Sequence, residues 1–219
     1  MKLFLDSANV DSIKKGIQTG LVDGITTNPT LLSKESGNLR DLLVTICKTV
    51  YPHDVSIEVT ERDPQALYEQ AKTIAQIAPN VVVKIPCYTE YLPVIKKLVA
   101  EGVGINITLL FSAVQGLLMG KLGVKYISPF VGRLDDIDSD GLQLIKDLRT
   151  IYNTYGVKTQ ILAASLRSVS HVHQVALAGA DIATLPVTLF ESLADHPLTT
   201  KGMAKFEEDW HKLGISKFP

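Results

Sequence analysis

The chain has 219 residues, of which 46% are hydrophobic and 21% are charged, and its formal net charge is −1. This length suits a single domain, residues 1–219, with a sizeable core, and the balanced charge argues against a nucleic-acid or membrane-surface partner. The two cysteines, Cys47 and Cys87, form no CxxC pair and no histidine cluster accompanies them, which argues against a disulfide framework and a metal site.

The beginning of the chain does not resemble a secretion signal. The first residues, MKLFLDSA, contain a short apolar stretch that Asp6 interrupts, and this stretch is shorter than the apolar region of a signal peptide. No segment approaches the ~20 apolar residues of a membrane-spanning helix. We therefore expect a soluble cytoplasmic protein.

Short apolar segments rich in β-branched residues alternate with segments whose apolar residues recur every three or four positions. The first kind predicts strands and the second predicts amphipathic helices. In chain order we predict strand 2–6, helix 10–20, strand 24–28, helix 39–50, strand 55–60, helix 63–77, strand 81–86, helix 89–102, strand 104–109, helix 111–123, strand 126–131, helix 140–156, strand 159–165, helix 168–180 and strand 181–187, and then a final helical stretch and tail over 196–219. Asp63, Thr89 and Ser168 are suited to cap helices, and several helices are predicted to end at a glycine: Gly20, Gly102, Gly123, Gly156 and Gly179.

This alternation predicts the fold class. Strands joined by helices form crossover units and therefore a parallel sheet. Eight strands favour an α/β fold with a single closed (β/α)8 TIM barrel over an open doubly wound sheet, with residues 196–219 as an extra C-terminal helix. The chain lacks a GxGxxG motif at its first helix and has no GxxxxGK[ST] motif, which weakens the dinucleotide-binding and P-loop alternatives.

Lys84 lies in VVVKIP, a segment typical of a buried strand. An ammonium that leaves water must find partners or lose its proton, and the neutral amine is a nucleophile toward a carbonyl group. A lysine in a strand also has simpler explanations, because it can reach solvent from the strand end or pair with a carboxylate that holds the fold. The other polar residues decide between these interpretations.

In a barrel of this kind the functional site forms where the strands end and the following loops begin. Each predicted strand has a polar side chain near that end, and these are Asp6, Asn28, Glu58 with Thr60, Lys84, Asn106 with Thr108, Ser128, Ser165 and Thr184. Residues of this type often end strands because they favour turns, an explanation that suits Thr184. Turn preference does not easily explain why one lysine, two acids and two asparagines lie at one rim. Buried charges need partners, and at this rim they would pair with one another.

These residue types predict a class I, metal-free aldol reaction on a sugar. A desolvated Lys84 can form an imine with a ketone, and Glu58 suits the accompanying proton transfers, through a water held by Thr108. Asp6 is the candidate base on a hydroxyl group when a carbon–carbon bond is cleaved or formed. The two asparagines of the rim can orient a polyhydroxylated chain because each donates and accepts hydrogen bonds.

A second group of residues suits a phosphate. Arg133 follows the sixth strand in SPFVGR, and Ser165 and Arg167 end the seventh in AASLR. Guanidinium groups bind phosphate through two parallel hydrogen bonds, although either arginine alone could equally form a solvated surface pair. The acidic segment LDDIDSD, residues 134–140, is typical of a loop and a helix start.

Six segments in this order resemble the transaldolase family: FLDSAN, GITTNPTLL, VVVKIP, GINITLLFS, SPFVGR and ILAASLR. The resemblance extends from residue 3 to about residue 193, and the length is similar to that of the short members, which include fructose-6-phosphate aldolases. It implies that Lys84 forms the Schiff base, that Asp6 is the base for carbon–carbon cleavage and that Glu58 is the acid/base acting through water. It also implies two sets of binding residues: Asn28, Asn106, Thr108 and Ser128 for a dihydroxyacetone unit, and Arg133, Ser165 and Arg167 for phosphate.

The resemblance implies transfer of a dihydroxyacetone unit from sedoheptulose 7-phosphate to glyceraldehyde 3-phosphate in the pentose phosphate pathway, with no cofactor. Fructose-6-phosphate aldolases are similar but typically carry Gln at the position of Glu58 and Tyr at that of Phe130, so these two residues favour a transaldolase. An aldolase that releases dihydroxyacetone remains the alternative, and a catalytically silent sugar-phosphate-binding barrel is a hypothesis of another class. A metal-dependent or isomerase barrel lacks a histidine-rich rim. The resemblance further implies a homo-oligomer, a pentamer or decamer.

Overall fold

The computed structural model describes residues 1–214 of the chain. Eight parallel strands form a closed barrel in sequence order, and β1 pairs with β8 to complete it. The strands are β1 Lys2–Asp6, β2 Gly24–Thr26, β3 Asp54–Glu58, β4 Val81–Pro86, β5 Ile105–Leu110, β6 Tyr126–Pro129, β7 Gln160–Ala163 and β8 Ile182–Pro186. The predicted (β/α)8 barrel is therefore confirmed.

Helices follow the strands and surround the barrel. Within residues 1–214 they are α1 Val10–Gln18, α2 Pro29–Leu32, α3 Leu39–Val50, α4 Pro64–Ala75, α5 Leu92–Ala100, α6 Ala113–Leu122, α7 Val131–Asp135, α8 Gly141–Tyr155, α9 Val169–Leu177, α10 Val187–Glu191 and α11 Pro197–Lys212. Short 3₁₀ turns cover Thr89–Tyr91 and Ser192–Ala194. None of these helices combines the length and apolar character needed to cross a bilayer.

Several predicted strands are too long at their C-terminal ends. The predicted strand 24–28 ends at Thr26, because the extended Asn28 caps α2, whose first residue is Pro29. The predicted strand 159–165 ends at Ala163, and Ser165 has a φ of 61°, which is incompatible with a strand. Two residues separate β2 from α2, whereas the loop 164–168 separates β7 from α9.

The helix boundaries follow the capping signals with one exception. Asp63 and Ser168 each accept backbone N–H groups of the first helical turn, as predicted. Thr89 does not cap α5, because it begins the 3₁₀ turn that precedes this helix. The five glycines predicted to end helices all have positive φ values.

The strand side chains divide between two cores, as expected from their alternation. Inside the barrel lies a small cluster: Phe4, Val82, Tyr126, Leu162, Ala164 and Ile182. The neighbouring positions, such as Leu5, Val83 and Ile127, belong to the larger core that includes the helices. A Cβ atom at residue 24 would lie 2.5 Å from the ring of Phe4, so only glycine at this position of β2 leaves room for that ring.

The predicted C-terminal helix is present as α11, and none of its residues is buried. The predicted tail beyond it falls on residues 215–219, which lie outside the described part of the chain. The apolar layer formed by Phe4 and its neighbours fills the lower part of the barrel. Polar side chains of the same inward set, one layer nearer the C-terminal strand ends, form the site described next.

Candidate active site

Lys84 lies on β4 with only 5% of its surface exposed. Its strand pairs with β3 in a register that sets Lys84 beside Glu58. The Lys84 Nζ atom is 3.1 Å from Glu58 Oε2, and it donates a hydrogen bond of 3.1 Å to the carbonyl oxygen of Thr27. An amine attacks a carbonyl group only after losing its proton, and Glu58 is close enough to accept that proton directly.

A cavity of about 150 Å³ opens beside Lys84 at the C-terminal ends of the strands. Its walls are formed by Asp6, Thr26, Asn28, Lys84, Ser128, Phe130, Arg133, Ala164, Ser165 and Thr184. Seven of these ten residues belong to the predicted site. The structure thus brings together side chains from six strands and the loops that follow them, as the argument from strand ends requires.

Asp6 accepts a hydrogen bond from a hydroxyl group on β2, and this hydroxyl is itself bonded to one on β8. Thr26 Oγ1 donates to Asp6 Oδ1 at 2.8 Å, and Thr184 Oγ1 lies 2.6 Å from Thr26 Oγ1. Burial raises the pKa of Asp6, while the charge of Lys84 and the hydrogen bond from Thr26 partly oppose this shift. A carboxylate with a raised pKa is a stronger base than an ordinary aspartate.

Asn106 does not line the cavity, although the sequence predicts it as a binding residue. Both ends of its buried amide have partners inside the barrel, because Nδ2 donates to Ser56 Oγ at 3.1 Å and Oδ1 accepts from Ser128 Oγ at 2.7 Å. These two hydrogen bonds fix the hydroxyl of Ser128, whose proton points to Asn106. Ser128 therefore offers lone pairs to the cavity, and Asn106 acts by orienting it.

Asn28 lines the cavity and caps α2 at the same time. Its Oδ1 atom accepts the backbone N–H of Leu31 at 2.9 Å, which leaves Nδ2 without a hydrogen bond within residues 1–214. Because the amide oxygen is engaged by the helix, Asn28 presents a donor to the cavity.

Thr108 is 1% exposed, and its Oγ1 atom has no hydrogen-bond partner in the described part of the chain. It lies next to an irregularity of β5, where the register with β6 shifts between Ile107 and Leu110 and Leu109 has a φ of 53°. Thr108 does not line the cavity itself. A buried hydroxyl of this kind suits a bound water. Thr60, in contrast, is exposed and bonded to Gln70, away from the site.

The predicted phosphate residues occupy two different positions. Arg133 on α7 lines the cavity, with its guanidinium 5.1 Å from the ring centre of Phe130, and Ser165 lies beside it. Arg167 does not line the cavity; it is half exposed and forms a two-pronged ion pair with Asp136, which holds the pKa of Asp136 below its ordinary value. Arg167 thus forms the surface pair that the sequence leaves open as the alternative to phosphate binding.

Gly132 permits the close contact between α7 and the loop after β7. A Cβ atom there would lie 2.2 Å from the carbonyl oxygen of Ser165 and 3.0 Å from Arg167 Nε. Only glycine leaves room for the two segments that carry the predicted phosphate residues. Within residues 1–214, no group of three or more His, Cys, Asp or Glu side chains is arranged to hold a metal ion.

Three residues in or near this site were not predicted, Thr26, Ser56 and Asp136, and turn preference alone does not explain Thr184, one of the predicted strand-end residues. Thr184 is not the simple turn residue that its position suggested, since it is 5% exposed and hydrogen-bonded inside the barrel. The alternation of side chains offers a signal for Thr26, which shares a strand face with the predicted Asn28. Asp136 lies in the predicted loop of residues 134–140, where nothing in the sequence indicates a bond to Arg167.

The chain is similar to known proteins over nearly its whole length. A family model described as "Transaldolase/Fructose-6-phosphate aldolase" matches residues 3–217. A "Probable transaldolase" of Lactiplantibacillus plantarum is 51% identical, with 96% of each chain covered. Proteins with the same name from Dehalococcoides mccartyi and Thermoplasma volcanium are 48% and 47% identical, with 97% of this chain and 99% and 96% of theirs covered.

A solved structure, the crystal structure of 3-hexulose-6-phosphate synthase, aligns with a TM-score of 0.64 at 16% sequence identity. The alignment covers 88% of this chain and 98% of the other. This similarity concerns the barrel fold alone.

Proposed function

Because the chain belongs to the transaldolase/fructose-6-phosphate aldolase family, we propose that this transaldolase-type enzyme transfers a dihydroxyacetone unit from sedoheptulose 7-phosphate to glyceraldehyde 3-phosphate. The products are erythrose 4-phosphate and fructose 6-phosphate, and the reaction belongs to the pentose phosphate pathway. The observation that carries the proposal is the buried Lys84, 3.1 Å from Glu58, at a cavity that also contains Asp6.

The first step is imine formation. Glu58 accepts a proton from Lys84 Nζ, and the free amine attacks the ketone carbon of the donor sugar. The resulting carbinolamine loses its hydroxyl as water after Glu58 returns the proton, so the Lys84 ammonium and a ketone become an iminium ion and water. The buried hydroxyl of Thr108 is suited to hold the water through which Glu58 acts on the carbinolamine.

Asp6 carries out the second step. Its carboxylate takes the proton of the hydroxyl on carbon 4 of the donor, the bond between carbons 3 and 4 breaks, and its electron pair moves toward the iminium nitrogen to give an enamine. Erythrose 4-phosphate leaves as the aldehyde. The same steps in reverse with glyceraldehyde 3-phosphate return the proton from Asp6 to the new hydroxyl, and hydrolysis of the iminium then releases fructose 6-phosphate. The raised pKa of Asp6 suits both directions of proton transfer.

The remaining cavity residues suit substrate binding. Asn28 presents its Nδ2 donor and Ser128 its lone pairs to the hydroxyls of the dihydroxyacetone unit. Arg133 and Ser165, at the wall of the cavity, suit the phosphate. Arg167 would contact the phosphate by exchanging its ion pair with Asp136 for one with the phosphate.

The alternative within the same chemistry is a fructose-6-phosphate aldolase. A transferase keeps its enamine until an aldehyde arrives, whereas an aldolase protonates the enamine and releases dihydroxyacetone. Phe130 contributes a ring and no hydroxyl to the cavity wall, which favours the transferase. Incubation with fructose 6-phosphate, with and without an acceptor aldehyde, separates the two, because free dihydroxyacetone released without acceptor as fast as transfer occurs would assign the aldolase.

The Schiff base is tested by reduction with borohydride in the presence of fructose 6-phosphate, followed by peptide mass spectrometry. We expect a stable adduct on Lys84, no adduct in Lys84→Arg, and an unchanged adduct in Lys125→Arg, which alters a lysine at the other end of the barrel. If the parent protein forms no adduct but binds the sugar phosphate, the catalytically silent barrel is the correct interpretation. Activity that persists in EDTA argues against a metal-dependent reaction.

A further inference from the structure

Three side chains on neighbouring strands form a continuous hydrogen-bonded chain inside the barrel. Thr26 Oγ1 on β2 is 2.8 Å from Asp6 Oδ1 on β1, and it is also 2.6 Å from Thr184 Oγ1 on β8. Both threonines are almost fully buried, with 2% and 5% of their surfaces exposed. Because β1 lies between β2 and β8, these hydrogen bonds link the two strands that flank the proposed base.

The direction of these hydrogen bonds follows from the number of protons available. A hydroxyl group has one proton to donate. When Asp6 is ionised it can only accept, so the proton of Thr26 is used on Asp6 Oδ1. Thr184 must then donate the hydrogen bond between the two hydroxyls. The series of hydrogen bonds therefore runs from Thr184 through Thr26 to Asp6.

We propose that Thr184 is a positioning residue for the reaction, acting through Thr26 to hold Asp6 with its Oδ2 atom free to take the proton of the sugar hydroxyl. The inference rests on the proposed function for the role of Asp6. The inference gives the two oxygens of the Asp6 carboxylate different roles. Oδ1 accepts the hydrogen bond from Thr26, whereas Oδ2 makes no hydrogen bond within residues 1–214.

The hydrogen bonds from Thr184 to Thr26 and from Thr26 to Asp6 also affect how easily Asp6 ionises. Lys84 is the charged group that acts on Asp6; its partner Glu58 lies 3.1 Å from Lys84, and Arg133 lines the same cavity. Burial raises the pKa of Asp6, and the hydrogen bond from Thr26 works against burial. A hydroxyl that itself accepts a hydrogen bond is a better donor, so Thr184 strengthens the support that Thr26 gives to the ionised carboxylate.

The first test is a titration that does not depend on activity. The carboxyl carbon of Asp6, assigned by comparison with Asp6→Asn, is followed by ¹³C NMR over pH in the parent, Thr184→Val and Thr184→Ser. We expect Thr184→Val to move the titration of Asp6 to higher pH and Thr184→Ser, which keeps the hydroxyl, to leave it near that of the parent. If Thr184→Val leaves the titration unchanged, the inference is wrong, whatever the enzyme's activity.

The second test is a double-mutant cycle on kcat. Removing one neutral hydrogen bond of this kind lowers kcat by about three- to tenfold, and Thr184→Ser should restore most of it. Because Thr184 acts through Thr26, the double variant Thr26→Val/Thr184→Val should be no slower than Thr26→Val alone. Independent, multiplying effects would mean that Thr184 acts on the substrate directly and would overturn the inference.

The two tests also separate this inference from the proposed function. Thermal unfolding of each variant checks that the barrel remains folded. Should the NMR titration respond to Thr184→Val while the parent forms no borohydride adduct on Lys84, the hydrogen-bonded chain is correct and the Schiff-base function is not. Should the parent form the adduct on Lys84 while Thr184→Val leaves the Asp6 titration unchanged, the Schiff-base function is correct and the role of Thr184 is not.

Discussion

Replacing Glu58 with Gln keeps the shape of the side chain and removes its charge. Glu58 Oε2 lies 3.1 Å from Lys84 Nζ, and their side chains are only 13% and 6% exposed. Removal of one partner of a buried ion pair costs about 3–5 kcal/mol because the other charge stays buried and uncompensated. The amide oxygen of Gln can still accept a hydrogen bond from Lys84, so we expect about 3 kcal/mol, a loss of roughly 6–12 °C in Tm for a chain of this length.

The same substitution removes the proposed proton acceptor. Proton transfer by a positioned side chain contributes about 10²- to 10⁴-fold to the rate, so imine formation in Glu58→Gln should slow by a factor in that range. Rapid mixing with fructose 6-phosphate, quenching with borohydride and quantifying the Lys84 adduct measures this rate.

Glu61→Gln is the matched control. It makes the same chemical change on an exposed side chain of the adjoining loop, and we expect neither the Tm nor the rate of adduct formation to change. If Glu58→Gln forms the adduct within threefold of the parent rate, Glu58 is not the proton acceptor. If its Tm is also unchanged, the ion pair with Lys84 contributes nothing to stability.

Three further predictions concern other parts of the barrel. Asp6→Asn should abolish carbon–carbon cleavage. Because burial raises the pKa of Asp6, the free energy of unfolding of the parent falls as the pH rises from 3.8 through that raised pKa. Urea unfolding at several pH values should therefore show the stability of the variant increasing relative to that of the parent over this range. Arg133→Ala should raise KM for phosphorylated relative to unphosphorylated acceptors more than Arg167→Ala does, since only Arg133 lines the cavity; equal effects on both acceptors would refute the phosphate assignment. Gly24→Ala should cost about 1–3 kcal/mol, seen as a lower Tm, because its methyl group collides with the ring of Phe4, and Phe4→Leu in the same chain should recover part of the loss.

The barrel was predictable because its signals are local. The strand 81–86 agrees at both ends with β4, since a run of β-branched residues has few other ways to be buried. The ends of β2 and β7 were predicted too far along the chain, because apolar periodicity does not reveal that Asn28 caps a helix or that Ser165 adopts a positive φ. Strand ends and the residues just beyond them, together with the family resemblance that points to Phe130, then predicted seven of the ten cavity residues.

The hydrogen-bond partners were not predictable, because they depend on which strands become neighbours and in what register. Ser56, Asn106 and Ser128 lie on β3, β5 and β6, and bonds between them join residues 50 and 22 positions apart. Nothing local to Asn106 distinguishes an amide that touches substrate from one that orients Ser128. In the same way, no local pattern indicates that Asp136 binds Arg167.

These partners determine which polar atoms the cavity presents. Asn28 is fixed by the N–H of Leu31, Ser128 by Asn106 and Asp6 by Thr26, so the orientation of each polar atom is set before a sugar binds. Such preorganised groups need no rearrangement during the reaction. The cavity consequently offers a donor from Asn28 and acceptors from Ser128 and Asp6 at fixed positions. On the proposed function, we expect a ketose that lacks a matching hydroxyl to leave one of these polar atoms unpaired, and at the buried Ser128 the cost is about 1–3 kcal/mol.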